Sequence, residues 1–163
     1  AAGCGSGIDE YELLFKGHPE QDRATAFAHK TMDVSAYLAK IGLRDPKPLA
    51  QEMVVAYQDA CHLYHAQGIF DEPRDLLEQI PNVTLVDIPD AGMCCGSAGT
   101  YNIDQPEIAR QLGQNKVDNV LSVAPDVVVS GNIGCMTQMR VHMDGKEKAV
   151  PVMHIVQLLM MAY

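Results

Sequence analysis

Five cysteines stand in this chain of 163 residues, and two of them are adjacent, within "GMCCGSAGT" from Gly92 to Thr100. Neighbouring cysteines seldom bond to each other, because a bridge across one peptide unit forces the backbone away from relaxed disulfide geometry. Thiols set among glycines point instead to metal or redox chemistry. The small residues Gly96, Ser97, Ala98 and Gly99 would let backbone approach a bulky prosthetic group and aim amide donors at it. Cys61 and Cys135 lie far from the pair along the chain, and Cys4 lies near the start. The close CxxC pairs of zinc ribbons and ferredoxins are missing, so spacing alone leaves zinc and an iron-sulfur cluster equally open.

Bringing these residues together needs a scaffold, and three short runs rich in branched residues are expected to supply it. "MVVAY" (Met53 to Tyr57), "VTLVDI" (Val83 to Ile88) and "DVVVSG" (Asp126 to Gly131) read as strands. Between them, Asp71 to Ile80 and Gln105 to Ala124 read as helices, the second with Pro106 where a first turn tolerates it. Strand alternating with helix is the pattern of a parallel sheet with right-handed crossovers. A fourth strand, Lys148 to Met153, and a helix from His154 close the chain; Ile8 to Phe15 and Arg23 to Ile41 read as helices, and Leu43 to Ala50 as a linker. The expected fold is therefore α/β, a small open parallel sheet flanked by helices. Cys61 follows the first strand, Cys94 and Cys95 the second, and Cys135 the third. All carboxyl ends of a parallel sheet share one edge, so the four thiols should meet there, where open α/β sheets bind ligands. Four thiolates at one point repel unless a cation or cluster neutralises them. An isolated cysteine is more often a small buried hydrophobe, and Cys4 taken alone reads either way.

Composition bounds the partners. The formal charge of −9 arises from 21 acidic against 12 basic residues, with no basic cluster to track phosphates or an anionic membrane, so nucleic acid is not an expected partner. A chain this long can bury about 70% of its unfolded surface without disulfides. An odd, uneven cysteine set favours a reducing compartment, and a cytoplasmic location is expected. The apolar stretch Ile155 to Tyr163 is far shorter than the ~20 residues a bilayer span requires, so any membrane contact would run through partners at the inner membrane. A faint repeat also shows. "AAGCGSG" at the start parallels "NIGCMTQ" (Asn132 to Gln138), and Thr31 to Ile41 parallels Pro151 to Met161. Residues 1–45 are accordingly expected to be the tail of a truncated first repeat and 46–163 a complete domain, the whole being a piece of a longer protein.

The order Cys61, Cys94-Cys95-Gly96, Cys135 resembles the cysteine-rich CCG domain, whose pattern is a cysteine, a long gap, a Cys-Cys-Gly, a similar gap and a last cysteine. "CCGSAGTYNI", "SGNIGC" and "DACHLYHAQG" are similar to segments of glycolate oxidase iron-sulfur subunits. Lactate-utilisation iron-sulfur proteins and the B subunit of heterodisulfide reductase share the domain more distantly. The resemblance implies an electron-transfer subunit of a glycolate-oxidising oxidoreductase. Its FAD-containing partner subunits would oxidise glycolate, electrons would leave toward quinone or another acceptor, and a ferredoxin-like domain would lie upstream in the same subunit. It further implies Cys61, Cys94, Cys95 and Cys135 as ligands of a 4Fe-4S cluster, with zinc or a metal-free docking role as the alternative, and Cys4 as the matching ligand of the first repeat. Where the heterodisulfide reductase pattern carries a further cysteine, this chain has Gln138, so the five-thiolate cluster of that version is not expected. The isolated piece is expected to be inactive, and no catalytic residue is assigned.

Around the thiols, His62, His65, Gly96, Ser97, Gly134 and Gln138 are the residues expected to touch or tune a bound group. His62 and His65 read equally as solvent-facing. His154 should cap the last helix, His18, His29 and His142 read as surface residues, and Tyr101 reads as packing. The late methionines read as core filling before partner surface.

Overall fold

The computed structural model describes residues 2–163; Ala1, the first residue of the opening motif, lies outside them. Four strands form one open sheet, β1 (Met53–Gln58), β2 (Val83–Val86), β3 (Val127–Ser130) and β4 (Val152–His154), in the order β2-β1-β3-β4. Every pairing is parallel, with Val55 opposite Leu85, Gln58 opposite Ser130, and Ser130 opposite His154. The expected α/β architecture is the observed one.

Alternation along the strands divides the core. Val55, Tyr57, Val127 and Val129 face one side, packed on Leu76 and Leu77 of α6 (Asp71–Glu78) and on Ile155, Leu158 and Leu159 of α10 (Ile155–Met160). Ala56 and Val128 face the other, against Val117 and Val120 of α8 (Pro106–Ser122) and Met136, Met139 and Met143 of α9 (Ile133–Met143). Both faces of the central strands are covered, which is why they read as unbroken apolar runs. The β1-to-β2 connection carries α6 on one face and the β2-to-β3 connection carries α8 on the other. The chain thus reverses its winding between β1 and β3, and a crevice opens beyond their carboxyl ends.

Several boundaries differ from expectation, each for a local reason. The stretch from Arg23 to Ile41 is two helices, α3 (Gln21–Ala28) and α4 (Val34–Ile41), because Asp33 leaves helical geometry and its carboxylate accepts from Ser35 N at 2.9 Å as an N-cap. The opening segment is also helical, as α1 (Ala2–Asp9) and α2 (Tyr11–Leu14), rather than starting at Ile8. Strand β4 starts at Val152 rather than Lys148, since the run before it turns at Gly145 with φ of +75°. His154 ends that strand and caps α10, its Nδ1 accepting from Val156 N at 3.2 Å while Gln157 reaches back to the His154 backbone. His18 and His29 are exposed, but His142 is not free surface: it lies 3.2 Å from Gln138 and against Gly113. Tyr101 is 36% exposed and does not fill the core. Among the described residues, no helix is long and apolar enough to cross a membrane.

The methionines divide by burial, Met139 being 0% and Met160 66% exposed. Met139→Ala is expected to destabilise the fold by about 2–5 kcal/mol, whereas Met160→Ala should stay within about 0.5 kcal/mol of the parent. Urea denaturation monitored by circular dichroism reads both values.

Candidate metal centre

Four of the five cysteines follow a strand; Cys4 lies in α1. After β1 the backbone runs through Asp59 and Ala60 into Cys61, which opens the single-turn α5 (Cys61–Tyr64). Cys94 and Cys95 lie in the loop between β2 and the short α7 (Tyr101–Asp104). Cys135 lies in the first turn of α9, which Asn132 starts by accepting from Gly134 N at 3.0 Å. Cys95 and Cys135 are buried with Ala2, Ala60 and Leu63 in a small apolar cluster, while Cys61 and Cys94 are half-buried beside them.

The four thiols form a hydrogen-bonded row, Cys61 to Cys94 to Cys95 to Cys135, and their acidities alternate along it. Bonds from Cys61 and then Cys95 hold Cys94 far below the ordinary thiol range, and the bond from Cys95 lowers Cys135. Bonding to those neighbours, together with burial, raises Cys61 and Cys95. Cys94 and Cys135 are thereby the sulfurs most readily ionised, while Cys61 and Cys95 hold their protons more tightly. Among the described residues no three Cys, His, Asp or Glu side chains are spaced to close on one metal ion. A row of soft donors suits a group wide enough to be held from several sides.

Backbone geometry in the Cys94–Cys95 loop is tight. Gly96 has φ of +89°, and a Cβ there would stand 2.3 Å from the Ala109 carbonyl oxygen of α8. Gly96 N donates to Cys94 Sγ at 3.3 Å, and Ser97 Oγ is hydrogen-bonded to Cys95 Sγ at 3.4 Å. Asp90 and Ala98 also hold positive φ, at 51° and 21°, so the loop is strained on both sides of the pair. His65 Nε2 lies 3.3 Å from Gly92 O, tying the first cysteine loop to the second, and His62 Nδ1 lies 3.7 Å from Cys61 Sγ. Gln138 donates to Ala109 O of α8 at 3.2 Å. Beside the row opens a cavity of about 520 Å3 lined by Cys4, His62, Ser97, Asn132, Gly134 and Gln138 among others. Cys4 is thus a neighbour of the site without belonging to the row.

Below the row lies polarity that no sequence signal announced. Asp59 is buried and paired to Arg74 by two bonds of 2.7 and 2.8 Å, with the guanidinium 5.3 Å from the Tyr57 ring centroid. Lys116 is fully buried, its Nζ donating to Asp90 O at 2.8 Å and Ala91 O at 3.1 Å. Gln58 and Ser130, opposite each other at the strand tips, each bury a side-chain oxygen without a partner among the described residues. Asp59 stands two residues before Cys61, but nothing in the order of residues links it to Arg74.

An open parallel sheet with thiols gathered on its carboxyl rim defines a cysteine-rich redox or metal module. The CCG family, described as a cysteine-rich domain, matches residues 55–140, and the chain belongs to it. It is 35% identical to the probable glycolate oxidase iron-sulfur subunit of Bacillus subtilis (strain 168), over 99% of this chain and 37% of that protein. It is 35% identical to the glycolate oxidase iron-sulfur subunit of Escherichia coli (strain K12), over 85% of this chain and 34% of that protein. It is 30% identical to lactate utilization protein A of Oceanobacillus iheyensis, over 96% of this chain and 64% of that protein. The chain therefore spans between about a third and just under two thirds of the length of these curated relatives.

Two substitutions probe how the row is held. Arg74→Met, which strands the buried Asp59 carboxylate, is expected to lower stability by about 3–5 kcal/mol in urea denaturation. Gly96→Ala should cost about 3 kcal/mol, the upper end for overpacking a dense site, and should expose Cys95 to alkylating reagent under native conditions, read by mass spectrometry.

Proposed function

We propose that this chain is the iron-sulfur electron-transfer module of a glycolate-oxidising complex, with Cys61, Cys94, Cys95 and Cys135 as the thiolate ligands of one 4Fe-4S cluster. The observation that carries the reading is the hydrogen-bonded row of four thiols on the carboxyl rim. The donor set fits the group: four soft sulfurs, two of them acidified by their neighbours, with the Gly96 and Ala98 amides also lowering Cys94. When bound, the cluster supplies a one-electron carrier. The chain's own residues fix its seat: Ala2, Ala60 and Leu63 keep water from Cys95 and Cys135, and Ser97 hydrogen-bonds the inner sulfur. The printed names of the Bacillus subtilis and Escherichia coli relatives support glycolate oxidation as the setting. In that setting FAD-containing subunits supply electrons, and quinone or another acceptor receives them. The ferredoxin-like domain lies upstream in the same subunit, and work proceeds in the cytoplasm or at the inner membrane through partners.

Residues 1–45 fit as the tail of a first CCG repeat, with 46–163 a complete second one. Cys4 sits in the first turn of α1 as Cys135 does in α9, and Asp33 caps α4 as His154 caps α10, one position out of step with the repeat. A lactate-oxidising complex is the second setting, favoured by the near full-length match of this chain to a lactate utilization protein.

Anaerobic reconstitution of the chain with iron and sulfide, followed by visible and paramagnetic-resonance spectra, is the test. Cys61→Ser, Cys94→Ser, Cys95→Ser and Cys135→Ser are each expected to lose most of the cluster signal, and Cys4→Ser to retain it. A folded wild-type chain that takes up one exchange-resistant zinc ion and gives no iron-sulfur spectrum would overturn the proposal in favour of a structural module.

A further inference from the structure

Lys116 occupies a core position of α8. It lies on the buried stripe formed by Ala109, Gly113, Val117 and Val120, the two valines packed on the sheet, and is itself 0% exposed. A lysine is almost never fully buried without compensation, because removing an ammonium from water is expensive. Side chains on a helix point back toward its N-terminus, so this one rises along α8 toward the cysteine rim. Among the described residues its ammonium there binds only the Asp90 and Ala91 carbonyls, just before the Cys94–Cys95 pair.

Neutral carbonyls leave the charge itself unmatched. The acidic groups acting on it are Asp59, Cys95, Asp90 and Cys135. Asp59 is already engaged by Arg74, the Asp90 carboxylate is exposed, where water screens it, and Cys95 is held toward its protonated form. Buried Cys135, whose thiol is pushed toward ionisation, remains. Ala56 and Val128 face α8, so Gln58 and Ser130, two residues further along, share that face and add unpartnered oxygens to the polar layer under the row.

Resting on the iron-sulfur reading above, we propose that Lys116 is a positioning and charge-compensating residue, anchoring the bend before Cys94–Cys95 and supplying the buried positive charge that favours the reduced, more anionic state of the bound cluster. A cluster held by four thiolates is anionic, and an added electron increases that charge. Removing the ammonium therefore disfavours reduction.

Two measurements on the whole chain test this. In the unloaded protein, Lys116→Met should speed amide exchange across residues 90–95 by about tenfold relative to the β1 amides. In the reconstituted protein, the midpoint potential of Lys116→Met should fall by about 59 mV, a tenfold drop in the one-electron reduction constant, while Lys116→Arg should restore it. Should Lys116→Met fold poorly, Lys116→Gln takes its place in both arms. Unchanged exchange at residues 90–95, or an unchanged potential in a charge-neutral variant that carries the cluster, overturns the assignment. A wild-type chain that forms no cluster defeats the iron-sulfur reading instead, and the exchange arm then decides Lys116.

Discussion

Four sulfur atoms in mutual hydrogen-bonding contact cannot all be thiolates, and the fold is arranged around that constraint. The row meets it by sharing protons: Cys94 and Cys135 are driven toward the charged form by the protons that Cys61 and Cys95 keep. Backbone amides at Gly96 and Ala98 add donors to Cys94, and Ser97 Oγ accepts from Cys95 Sγ. Such an arrangement is stable only while each sulfur stays in place, because a small displacement turns a shared proton into unrelieved repulsion.

Holding the sulfurs in place falls to elements on both faces of the sheet. From the α6 side, Arg74 clamps the buried Asp59 just before Cys61. From the α8 side, the Ala109 carbonyl presses against Gly96 and the Lys116 ammonium grips the bend at Asp90 and Ala91. His65 reaches across from the first cysteine loop to Gly92 of the second. The loop pays for this fixity in strain, with Asp90 and Ala98 in left-handed backbone. A strained loop tethered from several sides is a preorganised one, as a seat for a group with fixed geometry requires.

Much of this was legible in the residues. Branched apolar runs announced the strands because both faces of β1 and β3 are buried, and the placement of each cysteine after a strand then followed from the shared edge of a parallel sheet. The reading failed where one residue outweighed the average of its neighbours. Asp33 splits the helix expected from Arg23 to Ile41, since a single cap competes with an otherwise continuous helical pattern. His142 reads as surface, yet it lies against Gln138 and Gly113, and the burial of Lys116 has no local signal. Gln138 lines the cavity beside the sulfurs and also hydrogen-bonds α8, a contact no local signal announced.

The order of residues by itself determined the parallel sheet, the rim on which the thiols gather and the family to which they point, because burial pattern and strand–cysteine spacing are local properties. Only the tertiary structure decided which sulfur bonds which, which of them are charged, and which buried cation and carboxylate stand beneath. Those depend on distances between atoms far apart along the chain, and electrostatic energy follows distance in space rather than separation in sequence.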